Sequence, residues 1–160
     1  MQPKQHPRGR MRLGAAIAIA AAGAALAIPT LATGAGGLVS KMNGNKVVPE
    51  GTGAPNGRGK ATFKLRIKQR KLCYEVTFRN TGGAVRGYVF RGKRGQEPPN
   101  PNRPVVTLFA TPQTSPAAGC ATSVAKKKLK RLKNKPKRFH VVLVNGAYEN
   151  GAVRGQIKKR

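Results

Sequence analysis

The sequence has no aspartate and no tryptophan, and only four glutamates and two histidines. Glu50, Glu75, Glu97 and Glu149 are scattered, and His6 and His140 lie far apart. General acid–base work, carboxylate nucleophiles and hard-metal sites need such groups in convergence. The shortage argues against an enzyme, and neither a cofactor nor a bound metal is expected. No Cys/His cluster has zinc spacing. His140, the one histidine beyond the N-terminal segment, has only glutamates as partners for a Ser/His/acid set. It sits in an apolar run and reads as structural. "GTGAPNGRGKA" looks like a phosphate loop, but Ala54 stands at the first glycine position and Ala61 at the Ser/Thr position.

Aromatic residues are also few. Single-strand binders stack bases on exposed rings. Here Phe63, Tyr74 and Phe78 fall on the apolar faces of their segments, and no aromatic is interleaved with the basic runs. Base-specific reading of nucleic acid is disfavoured; non-specific electrostatic binding stays open.

What is abundant is positive charge. Thirty-two Lys and Arg residues give a formal net charge of +28 over 160 residues. A chain of this length makes one domain. Such a charge repels itself and seeks polyanions.

The first segment sets the compartment. Lys4, Arg8, Arg10 and Arg12 precede an apolar run from Leu13 to Ile28, ended by Pro29 and followed by small residues. This is the pattern of a secretory signal peptide over residues 1–35, with cleavage expected between 31 and 37. Sixteen weakly apolar residues fall short of the roughly 20 that a spanning helix needs, so the mature form should hold no stable membrane span. The leader takes four positive charges with it and leaves +24. An exported chain with two cysteines, Cys73 and Cys120, can form one disulfide. That bridge should clip the segment Ala110–Gly119 to the outer side of a sheet.

Alternation dominates the rest. In "KATFKLRIK", Ala61, Phe63, Leu65 and Ile67 share one face and Lys60, Lys64, Arg66 and Lys68 the other. In "KLCYEVTF", Leu72, Tyr74, Val76 and Phe78 point in, while Cys73, Glu75 and Thr77 point out. Period two marks half-buried strands, and the short link at Gln69-Arg70 makes the pair a hairpin. Further strands are expected at Val85–Phe90, Val105–Phe109, Ala121–Val124, Phe139–Val144 and Val153–Ile157, and a first one from Leu38. Gly/Pro-rich pieces separate them. The reading is all-β: a Greek-key-like antiparallel β-sandwich over residues 36–160.

One stretch departs from the pattern. "AKKKLKRLKNKPKR" carries nine cations in fourteen residues and no acid. Leu129 and Leu132 are spaced i, i+3 among good helix formers. A short basic helix over Ala125–Asn134, stopped near Pro136, should precede the last two strands.

Specific words occur in a familiar order: "MNGNKVVP", "GKATFKL", "LCYEVTF", "RPVVTLF" and the closing "GAVRGQI". Together they resemble the chordin-type (CHRD) domain of chordin and of many secreted microbial proteins. The resemblance covers roughly residues 37–157, and "GAVRGQI" is its most specific piece. Against the family pattern, Tyr88, Phe90 and Val144 stand where histidines are common, and Val47 stands for a glutamate. The resemblance therefore implies a secreted all-β module with a binding or structural role, and no histidine-based activity carries over.

The combined expectation is a secreted, disulfide-clipped, non-enzymatic module that attaches to an anionic polymer of the cell envelope or matrix. Lys126, Lys127, Lys128, Lys130, Arg131, Lys133, Lys135, Lys137 and Arg138 form one candidate surface. Lys60, Lys64, Arg66 and Lys68 form another, and the tail Lys158, Lys159 and Arg160 adds to either. The competing readings are a nucleic-acid-binding basic protein and, by fold analogy alone, a metal-dependent enzyme on a superoxide-dismutase-like sandwich.

Overall fold

A computed structural model describes residues 37–97 and 102–160. The expected signal peptide lies outside them. Eight strands follow in order: β1 Leu38–Asn43, β2 Arg58–Arg66, β3 Lys71–Arg79, β4 Val85–Arg91, β5 Val106–Gln113, β6 Ala117–Ala121, β7 Phe139–Asn145 and β8 Tyr148–Lys159. The single α-helix among the described residues, α1, spans Lys126–Asn134 between β6 and β7. The fold is all-β, as the alternation required.

The strands form one antiparallel sheet in the order β5-β4-β7-β8-β1-β2-β3-β6. Its outermost strands, β5 and β6, lie in contact. The neighbours β3–β6, β4–β7 and β8–β1 are distant in sequence, which gives the Greek-key character. The two ends of the domain are paired: Leu38 stands opposite Lys159, and Val39 opposite Lys158.

Strand pairing carries the expected faces inward. Phe63 opposes Tyr74 and Leu65 opposes Leu72 across β2 and β3. Arg70 supplies the left-handed residue of the connecting turn (φ 55°). Leu38, Met42, Phe63, Leu72, Val76, Val89, Val141, Leu143, Val153 and Ile157 are buried in one core cluster. Helix α1 joins that core through Leu129 and Leu132, both buried, while its lysines and arginine face water. Each fully buried leucine is worth about 1.5–3 kcal/mol of transfer free energy, enough to hold a short helix with an unfavourable charge pattern.

The structure corrects the sequence reading in three places. The expected strand Ala121–Val124 is instead β6, Ala117–Ala121. Its residues are Ala, Gly and Cys, which carry no strand pattern; their place is set by pairing with β3. Val124 turns towards the hairpin, donating its N–H to the Arg70 carbonyl at 2.9 Å. Secondly, Ala110–Gly119 is not a free loop: β5 runs on to Gln113, and β6 begins at Ala117. The Cys73–Cys120 bridge exists, but it joins two directly opposed residues of paired strands rather than clipping a loop. Cys73 does leave the core face, yet it is only 1% exposed, whereas Cys120 is open to solvent. Finally, the last strand is twelve residues long, because pairing with both β7 and β1 extends it beyond its apolar centre.

Candidate functional site

Helix α1 and the 3-10 turn Pro136–Arg138 wrap the basic run around a groove of about 530 Å³. Lys126, Lys127, Lys130, Arg131, Lys135 and Arg138 line it, and Arg91, from the end of β4, joins them. No carboxylate does. The sequence offered no sign of Arg91, which lies far from the run in the chain. It arrives because β4 pairs with β7 so that Arg91 stands opposite Phe139. Three of the expected residues are not in the groove lining. Lys128 donates from Nζ to the Val105 carbonyl at 3.1 Å. Lys133 and Lys137 are exposed elsewhere.

The helix start sharpens the field. The first turn of α1 contains Lys126, Lys127 and Lys128 but no acid, and Ala125 at the N-cap makes no side-chain cap bond. The free N–H groups there favour negative charge. This sequence puts three ammonium groups where a helix gains from anions.

The second candidate surface is the outer face of β2. Lys60, Lys64 and Arg66 are exposed on it, and Lys68 lies in the following turn. Register adds partners that the sequence hid. Lys41 stands directly opposite Lys60, Arg58 opposite Arg79, and Arg66 opposite Lys71. Like charges directly opposed destabilise a sheet, so three such pairs store repulsion that a bound polyanion would relieve.

A third feature lies on the outer face of β4, β7 and β8. A cleft of about 410 Å³ is lined by Tyr88, Phe90, Val142, Val144, His140 and Arg154, with Glu97, Asn102, Glu149 and Asn150 among its polar members. Tyr88, Phe90 and Val144, the positions where the family pattern has histidines, thus converge on one site, which here is largely apolar. His140 is fully buried, stacked on the Phe90 ring at 5.9 Å. Burial first, then the Arg154 guanidinium, push its pKa down to about 4, against a backbone hydrogen bond at Gly92. The ring is therefore neutral near pH 7. Its Nε2 is buried with no hydrogen-bond partner among the described residues.

The "GAVRGQI" word fastens the segment that follows β4. Arg154, 4% exposed, donates from Nη2 to the carbonyls of Lys93 (3.2 Å) and Gln96. Gln156 Nε2 shares its protons among the carbonyls of Gly92, Lys137 and Phe139 at 2.7–2.9 Å. Gly151 takes φ +128°, and Gly155 lies against β1. Sequence reasoning marked this word as specific without finding its task; the signal was an Arg and a Gln in an otherwise apolar closing strand.

Among the described residues, no group of three His, Cys, Asp or Glu converges as a metal site, and no helix is long and apolar enough to cross a membrane. Compared with known proteins, residues 38–157 match the CHRD domain family. No curated protein and no solved structure matches the chain.

Proposed function

The chain belongs to the CHRD domain family, and from that premise we propose that it is a secreted, non-enzymatic module that attaches electrostatically to an anionic polymer of the cell envelope or matrix. The family suggests a binding or structural module, typically extracellular, and the disulfide is consistent with an oxidising compartment. The observation that carries the ligand class is the groove: seven cations line one concavity and no carboxylate offsets them. Mutual repulsion of that kind is relieved by a chain of anions. A single small anion would meet only part of it.

Selectivity among polyanions should be low. Phe139 is the only aromatic in the groove lining and is buried, so no ring is offered to a base. This favours an envelope or matrix polymer over specific nucleic-acid recognition.

The test is binding to teichoic acid, heparin and DNA across a salt series. For a phosphate polymer, counterion release gives a steep negative slope of log affinity against log salt. Changing Lys127, Lys130, Arg131 and Lys135 to Gln should flatten it. The same change at Lys60, Lys64, Arg66 and Lys68 reports whether the β2 face shares the load. If neither set alters binding, the charge only solubilises and the attachment reading fails.

A further inference from the structure

The outer-face cleft is not explained by polyanion attachment. Its volume falls within the range of small-molecule sites, roughly 300–1,000 Å³. Three of its properties constrain a ligand. The first is its apolar surface: Tyr88 and Phe90 pair at 6.1 Å with rings tilted by 47°, beside Val142 and Val144. A ligand must bring apolar area to these walls.

The second is its charge. Glu97 and Glu149, half of the chain's carboxylates, line this cleft and are exposed. They oppose an anion, so the polymer that suits the groove does not suit this site. Arg154 lines the cleft too, and the whole domain is strongly cationic, which opposes a cation. An uncharged ligand remains.

The third is the orphaned Nε2 of His140. A buried polar atom without a partner costs about 1–3 kcal/mol, so a ligand gains by meeting it. The ring is neutral, and Nε2 therefore needs either an uncharged acceptor or an uncharged donor. An acylamino group offers both, through its carbonyl and its N–H, and it brings a methyl to the apolar wall. Hydroxyl groups alone bring no apolar surface. The rim suits hydroxyls, with the exposed carboxylates of Glu97 and Glu149 as acceptors.

From this combination we infer that the cleft binds an uncharged N-acylated sugar unit, its acylamino group against His140 and Phe90 and its ring against Tyr88. The inference does not depend on the basic groove, since it uses none of the groove's residues and no charge on the ligand.

The probes are the trimer of N-acetylglucosamine and the trimer of glucose, which has the same linkage and no acylamino group. The full disulfide-bonded chain is titrated with each at high salt, where contacts between exposed charges are screened, and followed by calorimetry and by the ring signals of Tyr88 and His140. The expected result is binding of the N-acetylated trimer at least ten-fold tighter than the glucose trimer, with shifts of both rings. Tyr88→Ala should lose at least ten-fold of that affinity and keep its heparin affinity. Equal binding of both trimers, no binding, or shifts confined to other residues would overturn the inference. Ring shifts in the unsubstituted chain decide the matter even where Tyr88→Ala fails to fold. Loss of polyanion binding with sugar binding intact would sink the attachment reading alone.

Discussion

Gly155 passes so close to β1 that a methyl group on it would overlap the carbonyl oxygen of Lys41. The neighbouring Ser40 Oγ would stand 2.6 Å from the same methyl. Backbone cannot yield as a flexible side chain can. Gly155→Ala should therefore destabilise the domain by about 1–3 kcal/mol, the range for overpacking a filled interior. Gly146 is the control, because its Cβ would meet open space; Gly146→Ala should stay within about 0.5 kcal/mol. Urea unfolding of both variants checks the contrast.

The bridge between Cys73 and Cys120 closes a span of 47 residues. In the chain-entropy model, such a closure is worth about 4 kcal/mol. Changing both cysteines to Ser should lower stability by that order, and, because Cys120 is exposed, dithiothreitol should reach the bond without denaturant. A double variant as stable as the parent would show that strand pairing alone holds β6.

Acid should destabilise the domain through His140. Folded, the ring takes its proton only near pH 4; unfolded, it does so near 6.5. Between these values the unfolded chain binds the extra proton, so stability is full above about pH 6.5 and falls as pH drops towards 4. The loss should be on the order of 3 kcal/mol. His140→Phe should flatten this limb of a denaturation–pH profile. An unchanged limb would mean that other groups carry it.

Two lysines two residues apart should behave differently. Lys130 lines the groove, while Lys128 spends its ammonium on the Val105 carbonyl. On the attachment reading, Lys130→Ala weakens heparin binding and reduces its salt slope, whereas Lys128→Ala leaves affinity within about two-fold and acts on stability by about 0.5–1.5 kcal/mol, the net worth of one hydrogen bond. Equal effects on binding would show that the groove has no special role.

The sheet was legible where local pattern and burial agree. The β2–β3 hairpin alternates cleanly, and Leu129 and Leu132 announce the buried side of α1. What could not be read is what distant pairing decides. β6 is built of Ala, Gly and Cys, which prefer no strand, and it exists because β3 offers it an edge. Arg91 enters the groove, and Arg79 faces Arg58, through registers that no local period encodes. Tyr88 and Phe90 follow the strand period, but their face is the outer one, and the cleft there depends on Arg154 and Gln156 holding the segment after β4. The basic run itself was visible in the sequence; which of its lysines point together was not.

The pairing of Leu38 with Lys159 has a mechanical consequence. Chain enters and leaves the domain side by side, at one corner of the sheet. Pulling these two ends apart would peel β1 from β8 one hydrogen bond after another, a low-force route. A load applied instead between the end of β8 and the basic groove runs along a strand flanked on both sides. It must shear the β7 and β1 ladders together. A domain gripped by its groove and its final strand would resist tension far better than the same domain stretched between its own ends.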